Sequence, residues 1–447
     1  MNQASLYPPG PRTPALIEAF KVGRRNPIRY FSEIERKYGP IASLPIPKAT
    51  MVLATKAESV RSVLIENAKN FTNREAYIGL VPLLGNGLLT IDGPFHKQQR
   101  RLVMPAFHKQ RVETYADLMV DTTLDMLKGW TAGQPVDMAQ EMQYLTLRIV
   151  AKALFNVNLD GESSELGKAF IHTVEYLNKA HMMSISNLHL NLPFTAYGRF
   201  RRAKAILDQA VYRIIENHRR ASQDYGDFLS MLLKAQDEEG NTLSDQQIHD
   251  QTMTFLAAGH ATTANALTWT FYLLSQHPEI YQKLMGEIDQ VTGGRQPSAA
   301  DLPDLPYLEM VVKESMRLYP PAWAIVRHSL NDFELEGYCL PGGTYVILSQ
   351  YITHRLPEYW SQPDRFWPER FDSEHKEPRR DFAYFPFGAG PRTCIGMPFA
   401  MLEARLLLAT ILQRFHPALA PGARVIPQPL VTLRPRWGMP MILKEGK

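Results

Sequence analysis

The chain has 447 residues, of which 45% are apolar, 21% charged and 10% aromatic, a balance that excludes a disordered or fibrous protein and is ample for a large core. Its 49 basic and 45 acidic residues leave a net charge of only +4, too even for nucleic acid to be the main partner. The cysteines, Cys339 and Cys394, number two, which excludes a disulfide framework and suits a reducing cytoplasm.

No stretch approaches the roughly 18 consecutive apolar residues of a membrane span, and the N-terminus lacks a basic-then-apolar signal. A cytoplasmic protein with no membrane anchor is expected. Pro8-Pro9-Gly10-Pro11 makes a rigid extended lead into the first element.

Apolar spacing of three and four predicts helices over 13–37, 95–129, 136–155, 200–222, 244–276, 279–292, 306–319 and 398–415. Short strand-like alternation falls near 41–54, 322–328, 344–349 and 430–443, and no internal repeat is visible. The chain therefore reads as mainly α with small β-sheets. Within 95–129, His96 and Arg100 share one helical face, and Lys97 and Arg101 share the next. The 160–200 stretch, with Met182, Met183, Leu188, Leu190 and Leu192, is apolar but weakly periodic, and reads equally as a mobile cover or a packed core segment.

The 244–276 helix opens on the capping pattern Ser244-Asp-Gln-Gln247 and is closed by Pro278. At ~1.5 Å per residue it spans roughly 50 Å, enough to cross a domain. At its middle, Ala257-Ala258-Gly259-His260-Ala261-Thr262-Thr263 combines a weak helix former with hydroxyls that divert backbone hydrogen bonds. Two readings stand: a glycine tolerated for packing, or a groove for a small ligand. Further on, Glu314 and Arg317 are an i,i+3 pair, and Arg370 in Pro368-Glu369-Arg370-Phe371 lies 24 positions before Cys394.

Tyr384–Gly396 runs into a helix with Pro398 in its first turn, so Cys394 sits at a helix N-terminus, where the dipole and free N–H groups favour a thiolate. Gly388 and Gly390 let the preceding backbone fold tightly around the sulfur. A thiolate on haem iron promotes O–O cleavage, the step that hydroxylation of an unactivated C–H bond requires. Cys339, in Gly337-Tyr-Cys-Leu-Pro341, has no such frame and reads as a structural cysteine.

Phe387, Gly390, Arg392, Cys394 and Gly396 reproduce the pattern Phe-x-x-Gly-x-Arg-x-Cys-x-Gly, and on it the chain resembles the cytochrome P-450 family over nearly its whole length. The resemblance implies a single catalytic domain over 1–447, with a small β-rich part at about 38–60, C-terminal strands and no fused reductase. Haem b (iron protoporphyrin IX) would lie between the long oxygen-groove helix and the Cys394 helix. Cys394 would be the axial ligand. Phe387, Gly388 and Gly396 would cradle the cofactor, and Arg392, His96, Arg100 and Arg327 would hold its propionates. Glu314, Arg317 and Arg370 would form a buried structural network.

The same resemblance assigns the oxygen groove to Thr262, with Gly259, Ala258 and Thr263 around it. Ala261 stands where relatives carry an acid, which bears on proton delivery; Ala261→Glu is expected to raise product per reducing equivalent. Leu88, Leu256, Ala257, Trp323, Ala324 and Met439 would line the pocket, with segments near 77–91 and 180–195. That lining favours a lipophilic substrate. The implied activity is insertion of one atom of O2 into a fatty acid, terpenoid or carotenoid. Electrons would come from a separate ferredoxin or flavodoxin and its reductase, and a monomer is expected. Lys97 and Arg101 would either meet an acidic partner or remain solvated. The alternatives are a peroxide-using peroxygenase or isomerase, and a helical binding protein without catalysis.

Overall fold

The computed structural model describes residues 7–11, 26–46, 49–159, 165–182, 192, 194–221, 224–236, 239–374 and 381–446. Helices dominate, and their ends follow local chemistry. The central helix, Asp245–Gln276, begins at a reciprocal capping box: the Gln247 N–H donates to Ser244 Oγ at 3.3 Å, and the Ser244 N–H donates to Gln247 Oε1 at 2.8 Å. Asp137 caps Met138–Phe155 by accepting from the Ala139 N–H, and Thr195 caps Ala196–Arg220 by accepting from the Gly198 N–H.

The central helix carries polar residues on every face and yet is buried over most of its length. Met138–Phe155 packs along one side and Met397–Leu412 crosses another. The latter is largely apolar, with Leu406, Leu407, Leu408 and Ile411 fully buried, as a helix mostly enclosed by protein should be. Each such leucine contributes on the order of 1.5–3 kcal/mol by burial. Trp269 stacks on Tyr319 with ring centroids 4.2 Å apart, locking the central helix to the end of Pro306–Leu318.

Four small sheets are found among the described residues, and the two larger ones flank this body. The five-stranded sheet runs in the order Ile41–Ile46, Ala49–Ala54, Tyr345–Leu348, Ile325–Ser329, Phe71–Thr72, so its middle is supplied from late in the chain. The other joins Pro135–Asp137, Pro440–Glu445 and Phe415–Leu419.

Several expected boundaries shift. The 95–129 helix is four pieces, Gly93–Val103, a 3-10 turn Met104–Phe107, Lys109–Glu113 and Ala116–Leu127, because Pro105 cannot donate to a continuing helix. The 398–415 helix ends at Leu412, since Phe415 pairs with Glu445 in a strand. The 430–443 strand resolves into Pro427–Pro429, Leu433–Pro435 and Pro440–Glu445, divided by prolines and Gly438. Part of the weakly periodic stretch is a helix, Glu165–Met182, whose Phe170 is buried against the core. Met183, Leu188 and Leu190 lie outside the described residues, as does most of the first expected helix, of which Pro27–Tyr38 is described. Cys339 sits exposed on a two-stranded hairpin, so it is not the small core hydrophobe expected. Among the described residues no helix is long and apolar enough to cross a membrane.

Candidate active site

The Cys394 loop is shaped by two glycines in the left-handed region, Gly388 at φ 69° and Gly390 at φ 70°. At Gly390 a side chain is impossible: a Cβ there would lie 2.0 Å from the Leu64 carbonyl oxygen. The turn closes when the Cys394 N–H donates to Phe387 O at 2.9 Å, and Met397–Leu412 starts three residues after the cysteine with Gly396 as its cap.

The Cys394 side chain has accessible area, yet it lies deep within the fold surrounded by protein. Both observations hold if the sulfur opens into an internal chamber and not onto the outer surface. Burial raises the thiol pKa, and the backbone N–H groups of Gly396 and Met397 and the charge of Arg100 only partly offset it. The helix-terminus preference for a thiolate is real but smaller than desolvation, so a bound cation is what would hold the sulfur as an anion.

Beside this chamber the structure brings together His96, Arg100, Arg327 and Arg392. His96 and Arg327 are buried and Arg100 half-buried. His96 is pushed down to about 4, first by burial and then by Arg392 and Arg100, so it is neutral at pH 7. Burial lowers Arg392 to about 10. The carboxylate that acts on this group is Asp92, which pairs with Arg392 and also accepts the Asn73 and Arg74 N–H groups. Arg327 donates to the neighbouring Val326 carbonyl at 3.0 Å and meets the Tyr77 hydroxyl, and Arg100 has no hydrogen-bond partner among the described residues. Three guanidinium groups therefore stand beside the chamber, and among the described residues Asp92 is the one carboxylate acting on the cluster, through Arg392 and Arg327.

A cluster two negative charges short, next to an accessible internal thiol, fits a flat dianionic group with a metal at its centre. A haem, with two propionates and an iron, has that charge pattern.

On the central helix, Ala258, Ala261 and Thr262 are accessible, although the turns before and after are buried. Thr262 donates to Ala258 O at 2.7 Å, which leaves its oxygen lone pairs to accept from a neighbour. Gly259 has another role: a Cβ there would come within 3.2 Å of Val150, so this glycine permits close approach of Met138–Phe155. Close helix packing thus occupies one face of this turn, while Ala258, Ala261 and Thr262 leave accessible area on another. Thr146 strengthens the same contact by donating to His260 O at 3.1 Å.

Glu314, Arg317 and Arg370 meet with no exposed area. Arg317 binds both Glu314 oxygens at 2.6 and 2.8 Å, and Arg370 Nε donates to Glu314 Oε1 at 3.0 Å. The remaining guanidinium donors reach carbonyl oxygens: Arg317 those of His354, Pro363 and Arg365, and Arg370 those of Ser361 and Gln362. His354 was not legible in the sequence, yet its Nε2 accepts the Phe385 N–H at 3.0 Å and so ties this network to the Cys394 loop. Burial holds its pKa well below the usual value, which keeps Nε2 an acceptor. No periodicity or motif marks the Thr353-His354-Arg355 step.

The expected pocket residues divide. Leu88, Leu256 and Ala257 lie with the main helical core. Trp323 and Ala324 pack instead with the small-sheet cluster; Trp323 stacks near Phe31 at 6.0 Å and donates to Leu430 O at 2.7 Å, so it positions a turn. Met439 is fully buried in the main core, its N–H held by Asp137 at 2.8 Å, so its side chain fills the core beside the sheet. Lys97 and Arg101 are exposed on Gly93–Val103. The sequence reading missed an outer depression of about 950 Å³ behind the Cys394 loop, lined by Phe387, Thr393, Met401, Lys109, Lys313 and Arg405.

Comparison with known proteins agrees with this architecture. The family profile for cytochrome P-450 matches residues 8–436. Cyclooctatin synthase of Streptomyces melanosporofaciens is 38% identical over 414 residues, covering 92% of this chain and 89% of that protein. Pentalenene oxygenase of Streptomyces avermitilis is 34% identical, covering 94% and 93%. Among solved structures, the cytochrome P450DA haem domain superposes with a TM-score of 0.91 at 27% identity, covering 99% and 98%; retinoic acid-bound cyanobacterial CYP120A1 gives 0.86 at 26%, covering 99% and 100%.

The chain belongs to the cytochrome P-450 family. It is a haem-dependent monooxygenase that acts on lipophilic molecules with O2 and electrons from redox partners.

Proposed function

We propose that the protein is a single catalytic unit that hydroxylates a terpenoid, with haem b ligated by Cys394 and its propionates held by Arg100, Arg327, Arg392 and His96. The carrying observation is the partly buried guanidinium cluster left two negative charges short beside an accessible internal sulfur. When bound, the haem supplies oxygen activation. The protein's own residues supply the rest. The Phe385–Gly396 bend holds the sulfur, Thr262 presents hydroxyl lone pairs on the open side of the central helix, and Leu256 and Ala257 keep that side apolar.

The terpenoid reading rests on similar proteins named cyclooctatin synthase, cyclooctat-9-en-7-ol 5-monooxygenase and pentalenene oxygenase. A screen of the haem absorption shift across terpenes, fatty acids, steroids and carotenoids tests it: terpenes should bind tightest, and a clear preference for fatty acids would overturn it. The ligand assignment is tested by Cys394→Ser, which should abolish the sulfur-ligation signature of the reduced, carbon monoxide-treated protein.

A ferredoxin or flavodoxin is the proposed electron donor, in the cytoplasm and to a monomer. It would dock at the depression behind the Cys394 loop, where Lys109, Lys313 and Arg405 offer positive charge and Phe387 and Met401 an apolar floor. A second reading, turnover with peroxide, is favoured by the lack of any carboxylate between Ala257 and Thr263. Comparing turnover by reductase plus NADPH with turnover by hydrogen peroxide separates the two.

A further inference from the structure

One histidine joins two helices and a loop. His249 and Asp250 lie side by side in the second turn of the central helix, and both are buried. His249 Nδ1 is 3.0 Å from Asp250 Oδ1, and its Nε2 is 3.1 Å from Asp208 Oδ1 on Ala196–Arg220.

Both carboxylates hold further donors. Asp208 also accepts from Lys204, and Asp250 accepts from Gln246 Nε2 and from the Asn86 N–H, each at 2.7 Å. A neutral imidazole carries one N–H and would set the lone pair of its bare nitrogen against one of these oxygens. Only the imidazolium donates from both nitrogens. The Tyr212 ring stacks on it with centroids 4.7 Å apart and an interplanar angle of 14°, a contact that favours a cation. Burial disfavours the charge, but the hydrogen bonds to Asp208 and Asp250 outweigh it, so the His249 pKa lies above the usual 6.5. Burial also opposes ionisation of Asp208, yet the bonds from His249 and Lys204 hold its pKa below the usual value.

The other charged groups of the neighbouring elements are engaged elsewhere. Arg219 pairs with Asp245 at 2.5 Å, and Tyr212 donates to Gln246 at 2.9 Å, which gives the two helices two further ties. Phe228–Lys234 brings Lys234, bound to Asp224, and its cap Asp227, bound to His218. Met138–Phe155 brings Glu141, Arg148 and Lys152, bound to Trp130, Asp125 and Asn156. Val81–Leu84 brings no charge.

The loop side reaches the haem cluster. Gly85 turns at φ 55°, and a Cβ there would lie 2.3 Å from the Asp250 carboxyl, so the loop seats directly on that carboxylate. Two residues after Asn86, the Leu88 N–H donates to Gln251 Oε1 at 3.2 Å, and the Leu88 carbonyl accepts from Arg392 at 3.4 Å. The 85–88 loop therefore spans from His249 and its aspartates to an arginine beside the chamber.

We infer that His249, as an imidazolium, is the positioning residue that clasps the 85–88 loop and Ala196–Arg220 to the central helix, and that losing its proton loosens both and opens the chamber. It touches no substrate and acts through Asp250 and Asp208. One proton leaves a ring nitrogen for solvent, and no electrons move. Because the folded pKa is raised, the clasp is whole below about 6.5 and is lost as pH rises through the folded value. The Arg219–Asp245 and Tyr212–Gln246 ties survive that step, so the change is a loosening and not an unfolding.

The test uses the haem-loaded protein in its reduced, carbon monoxide-bound, diamagnetic form. Nitrogen NMR of histidine-labelled protein identifies the His249 signals by their loss in His249→Gln or their shift in Asp208→Asn. Both ring nitrogens should be protonated at pH 7, and Asp208→Asn, which removes one counter-charge, should lower the pKa. Hydrogen exchange over 84–89, taken relative to Tyr345–Leu348, should quicken about tenfold or more in His249→Gln, the loss of a charge-assisted hydrogen bond. In wild type the same segment should loosen as pH rises through the measured pKa, and carbon monoxide released by a light flash should rebind from solvent faster. His249→Gln should rebind fast at every pH. A neutral His249 at pH 7, a pKa unmoved by Asp208→Asn, or exchange and rebinding with no step at that pKa in wild type, overturns the inference.

Discussion

Two charge clusters in this molecule, one fully and one partly buried, have opposite balances. Around Glu314 the carboxylate is shared by Arg317 and Arg370, and the remaining guanidinium donors reach carbonyl oxygens, so the cluster is complete within the protein. Around Asp92 the carboxylate pairs with Arg392 and acts on Arg327, and the neighbouring Arg100 has no hydrogen-bond partner among the described residues. The two have similar composition and different purposes. A saturated cluster holds the fold, whereas an unsaturated one costs free energy until a ligand completes it.

That contrast can be broken in order of expected effect. Glu314→Ala should be the most damaging change, since it strands Arg317 and Arg370 in a fully buried site; chemical denaturation should show a loss of about 3–5 kcal/mol. If the loss is below about 1 kcal/mol, the network is not what holds the loop.

Glu403 is a third case, buried and paired with no charge, and its effect depends on pH. Its folded pKa of about 8 lies above the usual 4.5, so the stability linked to its proton is whole below about 4.5 and is lost as pH rises through about 8. At pH 7 the cost is on the order of 3 kcal/mol. Glu403→Gln should therefore flatten the fall in stability between about pH 5 and pH 8, and an unchanged slope would show that the carboxyl is solvated or paired.

In the unsaturated cluster, Arg327→Leu should cost the fold less than Glu314→Ala but weaken haem retention about 10- to 100-fold, the 1.5–3 kcal/mol of a charge-assisted hydrogen bond. Transfer of haem to an acceptor protein measures this. The smallest effect expected is from Ala261→Glu, which places a carboxylate on the open face and should raise product per reducing equivalent; an unchanged ratio would mean that protons already arrive by another path.

Much of this architecture was legible because it rests on local constraints. Gly388 and Gly390 announce a tight bend, Cys394 a helix terminus, and Ser244 with Gln247 a capping box that the structure reproduces. What escaped was decided by partners far away in the chain. His354 matters because the Phe385 N–H points at it, and Glu403 because Thr263 lies across a helix interface. The resemblance put Met439 in the pocket lining, but its side chain is fully buried in the core, and its backbone N–H donates to Asp137, 302 positions earlier in the chain.

By itself the sequence determined the helical class, the thiol's position at a turn before a helix and the resemblance that names the cofactor, since these follow from spacing and backbone geometry over a few residues. Only the tertiary structure decided which charges balance, which apolar residues face a chamber and which acid stays neutral. Those properties depend on what is absent around a side chain, water and counter-charge above all, and that is settled when distant segments close over it.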